Sequence, residues 1–311
     1  MAKKALGPAT HQLREAVMVG AEPSERWVVG CSGGPDSLAL AAAAVLAAAE
    51  VQVGVTTVVV DHGLQPGSAE VAAGVVDQLA RHDIAAMVVP VVPSGPGGPE
   101  AAARRARLAA LTEAAGDDGP VLLGHTMDDQ AEQVLLGLAR GSGTRSLSAM
   151  APDRGIFRRP FLPIRRAVTV QACNELGLEP WTDPHNSDES FARVRARRTV
   201  LPTLERELGP GIVEALGRTA DLLRDDADAL DDLARGIVDT AANQVEVAEL
   251  RPHSAAIRRR VLRDWLRAHG ARDLSSVHLK AVDGLVTQWR GDGTIQVPGL
   301  EVHRVKQQLR I

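Results

Sequence analysis

Apolar β-like segments and helical segments alternate along the first 140 residues, and this alternation restricts the possible folds more than any other feature. The stretches 26–32, 51–61, 84–92 and 121–124 are apolar without polar alternation, which is typical of strands covered on both faces. Segments of helical character follow them at 37–49, 68–82, 100–115 and 128–140. This repetition predicts an α/β fold with a doubly wound parallel sheet. Because ligands of such sheets bind beyond the carboxyl ends of the strands, we expect the functional residues in the loops that follow them.

The second half of the chain has a different pattern. Glycine, proline and arginine are frequent from residue 141, and prolines interrupt any long helix as far as Phe191. Helical sequence resumes at 193–207, breaks at Gly209-Pro210-Gly211 and continues, strongly acidic, to about residue 243. Two more helices near 254–269 and 276–289 and a hairpin at GDGTIQVPG complete the chain. We therefore predict a first domain over 1–209 and a smaller, mostly helical domain over 210–311.

Charge is distributed unevenly, although the net charge is only −4. Residues 140–206 contain 12 Lys/Arg against 7 Asp/Glu, and residues 251–311 contain 12 against 5. Two such basic blocks suit a polyanionic partner, and an ordinary solvated surface rich in arginine would explain them equally well. The aromatic content of 2%, without tyrosine, makes a base-stacking sheet of the RNA-recognition-motif type an improbable way to bind RNA.

The cysteine content and the absence of long apolar runs exclude several classes of protein. Cys31 and Cys173 are far apart and form no CxxC pair, which excludes a disulfide scaffold, a zinc ribbon and a cysteine-bound iron–sulfur cluster. No apolar run is long enough to span a bilayer, and the first residues lack the apolar segment of a secretory leader. We expect a cytoplasmic protein without a membrane partner.

The loop Ser32-Gly33-Gly34-Pro35-Asp36-Ser37 links the first strand to the first helix. Its glycines allow a tight backbone turn, its hydroxyl groups can donate hydrogen bonds, and the new helix directs free amides toward an anion. The sequence therefore predicts a phosphate-binding loop, which lacks the lysine of a Walker motif and the spacing of GxGxxG. The alternative is an ordinary turn in which Asp36 or Ser37 caps the helix.

An acidic segment follows the fourth strand. His125 precedes Asp128, Asp129 and Glu132, and on a helix Asp128 or Asp129 shares a face with Glu132. Carboxylates beside a phosphate loop can bind Mg²⁺ or hold an amine. The alternative is a capping box, with Asp129 in place of the usual Ser or Thr and Glu132 as its third residue.

These motifs resemble those of the PP-loop ATP pyrophosphatases, whose phosphate loop reads SGGxDS. Within that group, GHTMDDQAEQVLLGLARGSG resembles the signature of the tRNA(Ile)-lysidine synthase family. The elements VDHGL, EAAARRAR, RPFL, WTD and NSDESFARVR are similar to further motifs of that family. Gln65, His185 and Val194 stand where the family usually has Arg, Ser and Asn. The resemblance covers about residues 26–207.

The resemblance implies a PP-loop catalytic domain that uses ATP and Mg²⁺. Pyrophosphate would be held by the loop of Ser32, Gly33, Gly34, Pro35, Asp36 and Ser37, with Asp36 and Asp129 as ligands of the metal. Arg104, with Arg107 as second choice, would stabilise the α-phosphate, and His125 would assist at the phosphates. Asp129 and Glu132 would orient the lysine ammonium. For Arg104, a surface ion pair with Glu100 is the competing interpretation.

The implied reaction joins L-lysine to C2 of the wobble cytidine of an isoleucine tRNA with a CAU anticodon, through an adenylated cytidine. The arginine-rich segment 141–207 would face this tRNA, with contacts from Arg193, Arg195, Arg197 and Arg198. Because these four cannot share one helical face, some would bind phosphates and others would pair internally. The domain 210–311 would bind tRNA as well, and a homodimer is compatible with the sequence. The alternatives are another tRNA-modifying PP-loop enzyme, such as a thiolase, and a non-catalytic ATP-binding module.

Overall fold

The computed structural model describes residues 6–19, 26–63, 65–96, 98–117, 119–183, 188–289 and 291–311. Two compact units are present, Met1–Leu222 and Leu223–Ile311. No helix among the described residues is long and apolar enough to cross a membrane. The boundary predicted at 209–211 lies in the loop before a long helix and stays a prediction.

The first unit contains helices on both sides of one sheet. Its helices are α1 (Pro8–Met18), α2 (Pro35–Val51), α3 (Ser68–Arg81), α4 (Gly98–Ala115), α5 (Met127–Ala139), α6 (Thr144–Leu147), α7 (Arg166–Leu176), α8 (Ala192–Arg195), α9 (Leu201–Leu208) and the start of α10 (Ile212–Ala234). A π-helical turn, Ala196–Val200, lies between α8 and α9. Its strands are β1 (Trp27–Cys31), β2 (Val55–Asp61), β3 (Ala86–Pro90), β4 (Val121–Leu123), β5 (Asp153–Arg154) and β6 (Phe157–Arg158).

The sheet has the strand order β3-β2-β1-β4-β6-β5. All neighbouring strands are parallel except the short edge pair β5 and β6. From β1 the chain first adds β2 and β3 on one side. It then crosses back and adds β4 on the other side of β1. This reversal opens a crevice at the carboxyl ends of the strands, where ligands of doubly wound sheets bind.

Successive residues of β1 point to opposite faces of the sheet, and both faces are covered. Trp27, Val29 and Cys31 belong to a core with α1, α2, α3 and α7, whereas Val28 packs into a second core with Leu111 of α4. This explains why the strands read as continuous apolar runs. The doubly wound fold predicted from the sequence is confirmed.

Three helices of the first unit, α1, α6 and α7, were not predicted. Helix α1 begins at Pro8, where no element was predicted. Helix α7 lies between Pro163 and Pro180, two of the prolines expected to interrupt any long helix. Helix α7 contributes buried Thr169, Ala172 and Cys173, and it packs against α1 and α2. The helix predicted over 193–207 is present but is divided by the π-helical turn.

The second unit combines helices with a four-stranded antiparallel sheet. It contains the end of α10, then β7 (Gln244–Glu246), α11 (Val247–Leu250), α12 (Ala255–Ala268), α13 (Ser276–Thr287), β8 (Gly293–Val297), β9 (Leu300–Val305) and β10 (Gln308–Arg310). The strand order is β7-β10-β9-β8, and the core contains Trp265, Leu262 and Leu285. The predicted helices are confirmed. The hairpin predicted at 291–299 is present, but its second strand, β9, lies beyond that segment, and the prediction missed β7, α11 and β10. Helix α10 also ends at Ala234 rather than near residue 243.

Candidate active site

A cavity of about 590 Å³ opens at the carboxyl ends of β1, β2 and β4. Its apolar wall includes Val59, Val71 and Leu111. Polar groups along it come from the phosphate loop, from the ends of β2 and β4 and from α4, namely Ser32, Ser37, Asp61, His62, Arg104, Arg107 and His125. The cavity therefore lies where the fold predicts ligand binding, with an apolar wall and a few convergent polar groups.

Gly33 of the predicted phosphate loop occupies a position that only glycine fits well. Its φ is +81°, and a Cβ placed there would be 2.6 Å from Cγ2 of Val75. Its carbonyl oxygen accepts a hydrogen bond from the Trp181 amide at 2.9 Å. The tight turn inferred from the two glycines is therefore present, and it packs between α3 and Trp181 in the segment that follows α7.

The two serines close the loop on itself. The hydroxyl of Ser37 accepts a hydrogen bond from the Ser32 amide at 3.1 Å and lies 3.0 Å from the Gly34 carbonyl, to which it donates. Both serines line the cavity. The N-cap of α2 is Gly34 with Pro35 after it, so the alternative in which Asp36 or Ser37 caps the helix is wrong. Asp36 instead lies in the first turn, where amides have no intrahelical acceptor.

Asp36 is held by α7. One carboxylate oxygen accepts a hydrogen bond from Nε of Arg166 at 2.9 Å, and the other accepts one from the Thr169 hydroxyl. Burial raises the pKa of Asp36 above its usual value, although Arg166 and Thr169 oppose this effect. The side chain is 17% exposed.

Asp129 forms a capping box with Thr126, the N-cap of α5. Its Oδ2 accepts hydrogen bonds from the Thr126 amide at 2.8 Å and from the Thr126 hydroxyl at 3.0 Å. The capping box considered from the sequence, with Asp129 as the N-cap and Glu132 as its third residue, is therefore wrong. Asp129 is the third residue of a box that begins at Thr126. Burial alone would raise the pKa of Asp129, but Arg166, Arg193 and the Thr126 amide lower it to about 2.

One arginine joins the acids of α5 to the phosphate loop. Besides Asp36, the Arg166 guanidinium donates to Oδ1 of Asp129 at 2.9 Å and lies 3.6 Å from Oε1 of Glu132. The acids raise the pKa of Arg166 although burial alone would lower it, so the group stays charged. The structure thus brings together the three predicted acids, around a cation that the sequence reading did not identify.

Glu132 is completely buried, and arginines surround its carboxylate. Nε of Arg197 donates to Oε1 at 2.6 Å, and Nε of Arg193 donates to Oε2 at 2.8 Å. A lysine ammonium could contact Glu132 only after one of these arginines moved. The role predicted for Glu132 in binding lysine stays a prediction, and the structure shows an acid engaged with the protein's own cations.

The arginine segment divides between two environments, as its helical spacing predicted. Arg193 and Arg197 point inward to Glu132, whereas Arg195 and Arg198 are exposed. Arg195 donates to the backbone carbonyls of Glu189 and Ser190, and Arg198 makes further interactions. Contacts of all four with tRNA stay predictions.

Asp128 has a different task from Asp129. Its carboxylate accepts a hydrogen bond from the Arg166 amide at 2.8 Å and pairs with the guanidinium of Arg165 at 3.2 Å. Arg165 also contacts Glu214. Asp128 therefore anchors the beginning of α7 through the Arg166 amide. Its neighbour Asp129 instead accepts a hydrogen bond from the Arg166 guanidinium.

Two histidines of the cavity have unsatisfied nitrogen atoms. The Nδ1 atoms of His62 and His125 are buried without a hydrogen-bond partner. Burial lowers the pKa of His62, and it lowers that of His125 to about 3. Both rings are therefore neutral at pH 7, and a ligand in the cavity could satisfy these atoms.

The two arginines of α4 also reach the cavity. Burial and neighbouring arginines lower the pKa of both Arg104 and Arg107. Among the described residues, Arg104 and Glu100 are not within ion-pair distance, although the Glu100 charge still opposes the lowering of the Arg104 pKa. Two cations without a bound acid at the edge of a cavity suit an anionic ligand.

Comparison with known proteins identifies the family. Residues 8–204 match the family model of a PP-loop domain, and residues 246–310 match that of a TilS substrate binding domain. A tRNA(Ile)-lysidine synthase of Mycolicibacterium paratuberculosis is 55% identical over 276 residues, 88% of this chain and 84% of that protein. The chain belongs to the tRNA(Ile)-lysidine synthase family.

Other tRNA(Ile)-lysidine synthases show the same similarity along most of the chain. That of Rhodococcus erythropolis is 51% identical and covers 94% of this chain and 90% of its own length. That of Cutibacterium acnes is 47% identical, with 96% and 95% covered. The family resemblance stated from the motifs is confirmed, and the matching region extends past residue 207 into the second unit.

A solved structure has a fold similar to that of this chain. The U34-tRNA thiolase NcsA of Methanococcus maripaludis, with its [4Fe-4S] cluster, has a TM-score of 0.56 and 16% sequence identity. The match covers 70% of this chain and 80% of the thiolase. At this identity the likeness shows the PP-loop fold alone.

The sequence reading missed Arg166 because it missed α7. The signals were present: Val168, Ala172 and Cys173 are spaced for one helical face, and Gly177 ends the helix in the left-handed conformation. The family motif around His185 and Asn186 lies outside the described residues. The structure therefore says nothing about His185, which stands where lysidine synthases usually have Ser.

The donor set of Asp36 and Asp129 fits a magnesium ion in a lysidine synthase. Mg²⁺ prefers oxygen ligands and often binds through one or two carboxylates together with substrate phosphates. The two carboxylates are close enough to share one guanidinium, each at 2.9 Å. No group of three or more His, Cys, Asp or Glu side chains converges as a metal site in the described part of the chain. The protein would therefore supply two oxygen-bearing side chains and the nucleotide the rest.

Proposed function

We propose that the chain joins L-lysine to C2 of the wobble cytidine of the CAU-anticodon isoleucine tRNA, using ATP and releasing AMP and pyrophosphate. One observation carries the proposal: the phosphate loop, the histidine at the end of β4 and the arginines of α4 border a single cavity. The acids of α5 adjoin this loop through Arg166. The family of the chain supports the same reaction.

In the first step, the C2 carbonyl oxygen of cytosine attacks the α-phosphorus of ATP, and the bond to pyrophosphate breaks. The leaving pyrophosphate carries additional negative charge, which must be stabilised in the transition state. Ser32, Ser37 and the first amides of α2 would bind it, and Arg104 or Arg107 would contact the α-phosphate. Asp36 and Asp129 would hold Mg²⁺, whose positive charge favours the developing negative charge on the phosphates.

In the second step, the lysine amine attacks C2, and the bond between C2 and the AMP oxygen breaks. The lysine ammonium must lose one proton to become the nucleophilic amine. Asp129 and Glu132 are the acids that we assign to orient the ammonium. Both carboxylates accept hydrogen bonds from Arg193 and Arg197, so this role requires an arginine to move when lysine binds. His125 is neutral at pH 7, so it would contact phosphate as a hydrogen-bond donor rather than as a cation.

The decisive experiment incubates the protein with ATP, Mg²⁺, labelled lysine and a tRNA transcript with a CAU anticodon. We expect label in the RNA, and no label with a UAU transcript that lacks the wobble cytidine. Asp36→Asn should fold normally and release far less pyrophosphate. Absence of label with folded protein and the CAU transcript would refute the proposed reaction.

A thiolase is the second candidate, and its fold is shared. Cys31 and Cys173 are 4% and 0% exposed, and burial raises the pKa of Cys173 to about 12, which disfavours a reactive thiolate. Changing both to alanine should preserve lysine transfer. If that variant folds but loses activity, the thiolase proposal gains support. ATP binding without pyrophosphate release, with tRNA present, would favour a non-catalytic module. Cytoplasmic location and a homodimer stay predictions.

A further inference from the structure

We propose that Arg166 is a positioning residue for the adenylation step, which rests on the proposed function. Its guanidinium contacts one acid of the phosphate loop, Asp36, and two acids of α5, Asp129 and Glu132. It thereby fixes the loop that would hold pyrophosphate relative to the helix that would hold lysine. Among the described side chains, no hydrogen bond joins the phosphate loop directly to Asp129 or Glu132, and none joins α5 directly to Asp36.

Arg166 is itself fixed from several directions. It is the first residue of α7, and its amide donates to Oδ2 of Asp128 at 2.8 Å. Its side chain is 20% exposed. A guanidinium that is attached to an anchored backbone atom and donates to two carboxylates has few alternative positions. The group is thus rigid enough to define where Asp36 and Asp129 lie.

Helix α7 holds the other side of the phosphate loop as well. The Thr169 hydroxyl contacts the second oxygen of Asp36, and Sγ of Cys173 lies 3.4 Å from the Pro35 carbonyl. Thr169 and Cys173 are both fully buried. Arg166 is therefore the charged end of a helix that supports the loop along two turns.

The local charge balance supports the same role. The acids Asp36, Asp129 and Glu132 are matched by the guanidinium groups of Arg166, Arg193 and Arg197, so the cluster is neutral as formal charges. Among the described side chains, Arg166 is the one of these three arginines that contacts Asp36, with its Nε 2.9 Å from Oδ2. Loss of Arg193 or Arg197 would leave the connection between the loop and α5 in place, whereas loss of Arg166 would remove it.

The test compares Arg166→Gln, Arg166→Lys and Arg165→Gln in the full chain. Arg165 is the neighbouring residue and forms ion pairs with Asp128 and Glu214, but none with the three acids. Pyrophosphate release with ATP and CAU tRNA gives kcat and KM, ATP binding is measured by calorimetry, and thermal unfolding reports stability.

For Arg166→Gln we expect a kcat about 100-fold lower, because a displacement of about 1 Å costs on the order of that factor. The Kd for ATP should rise by no more than about threefold, since only the loop shifts and the rest of the cavity wall keeps its position. Arg166→Lys keeps the charge but reaches one carboxylate at a time, so kcat should fall only about tenfold. Arg165→Gln should lose stability while kcat stays within about threefold.

A folded Arg166→Gln with a wild-type kcat would overturn the proposal. The proposal would also be overturned if Arg166→Gln and Arg165→Gln lost the same kcat and the same stability, and if Arg166→Lys recovered none of the lost kcat. That result would indicate a purely structural contact. If Arg166→Gln does not fold, the kcat of Arg166→Lys decides, with a wild-type value as the refuting result. Wild-type protein that releases pyrophosphate but forms no lysidine would refute the proposed function and leave this comparison valid.

Discussion

Gly124 at the end of β4 touches the backbone of Asp36 in the phosphate loop. A Cβ on Gly124 would lie 2.8 Å from the carbonyl oxygen of Asp36 and 3.0 Å from its carbonyl carbon. These are backbone atoms and cannot rotate away as the end of a side chain could. The close approach of the end of β4 to the start of α2 thus depends on a residue without a side chain.

Gly124→Ala should separate β4 from the phosphate loop. We expect the free energy of unfolding to fall by about 1–3 kcal/mol, as for other overpacked sites. ATP affinity should fall as well, because the loop borders the cavity. Urea unfolding and calorimetric titration with ATP measure the two effects. Gly74→Ala is the matched control: Gly74 lies exposed in α3 with open space around it, so the change should stabilise the helix by about 0.5–1 kcal/mol. Equal changes in the free energy of unfolding and in ATP affinity for the two variants would contradict the close packing of Gly124 against Asp36.

Glu132→Gln should destabilise the first unit. The change keeps the shape of the side chain but removes the charge that pairs with Arg193 and Arg197. Breaking a buried pair typically costs about 3–5 kcal/mol, and we expect about 2 kcal/mol because both arginines are partly exposed to water. Urea unfolding measures the loss.

The control for Glu132 is Glu207→Gln. Glu207 pairs with Arg206, and both side chains are largely exposed. The free energy of unfolding should change by less than about 0.5 kcal/mol. An effect at Glu132 as small as at Glu207 would show that the buried pairs contribute nothing.

Arg195→Ala and Arg198→Ala should weaken tRNA binding. Both residues are exposed on the segment predicted to face tRNA. If each contacts one phosphate, each change should reduce the slope of log affinity against log salt concentration by about 1. Filter binding over a salt series measures the slope. Arg81→Ala, exposed on α3 outside the basic segments, should leave it unchanged, and a slope that does not differ between these variants and the wild type would reject the assignment.

His125 should make the protein less stable in acid. Its pKa is about 3 in the folded protein and about 6.5 when unfolded, so below pH 6.5 the unfolded chain binds the proton more readily. The free energy of unfolding should therefore fall by about 1.4 kcal/mol per pH unit from this group as pH decreases from 6.5 toward 3. Urea unfolding between pH 7 and pH 5 measures the slope.

His125→Gln should remove this acid sensitivity, because glutamine does not titrate. His82→Gln, at the exposed end of α3, controls for the loss of an imidazole. A wild-type pH slope in His125→Gln would show that another group causes the acid sensitivity.

The sequence alone determined the sheet and the location of the cavity. Continuous apolar segments require cover on both faces, and a glycine turn between the first strand and a helix places phosphate-binding groups at a strand end. The motifs then indicated the family. These features are local in the chain, so a linear pattern is enough to predict them.

The tertiary structure decided which charged groups meet. Arg166 lies 130 residues from Asp36 and 37 from Asp129 along the chain, yet one guanidinium contacts both. Arg193 and Arg197 likewise face Glu132 rather than solvent. Ion pairs between distant segments leave no periodic pattern in the sequence, because their geometry depends on how helices pack across the sheet. The sequence therefore supplied the acids and the arginines. The packing of α7 against α2, and of α8 and the π-helical turn against α5, joined them into one cluster.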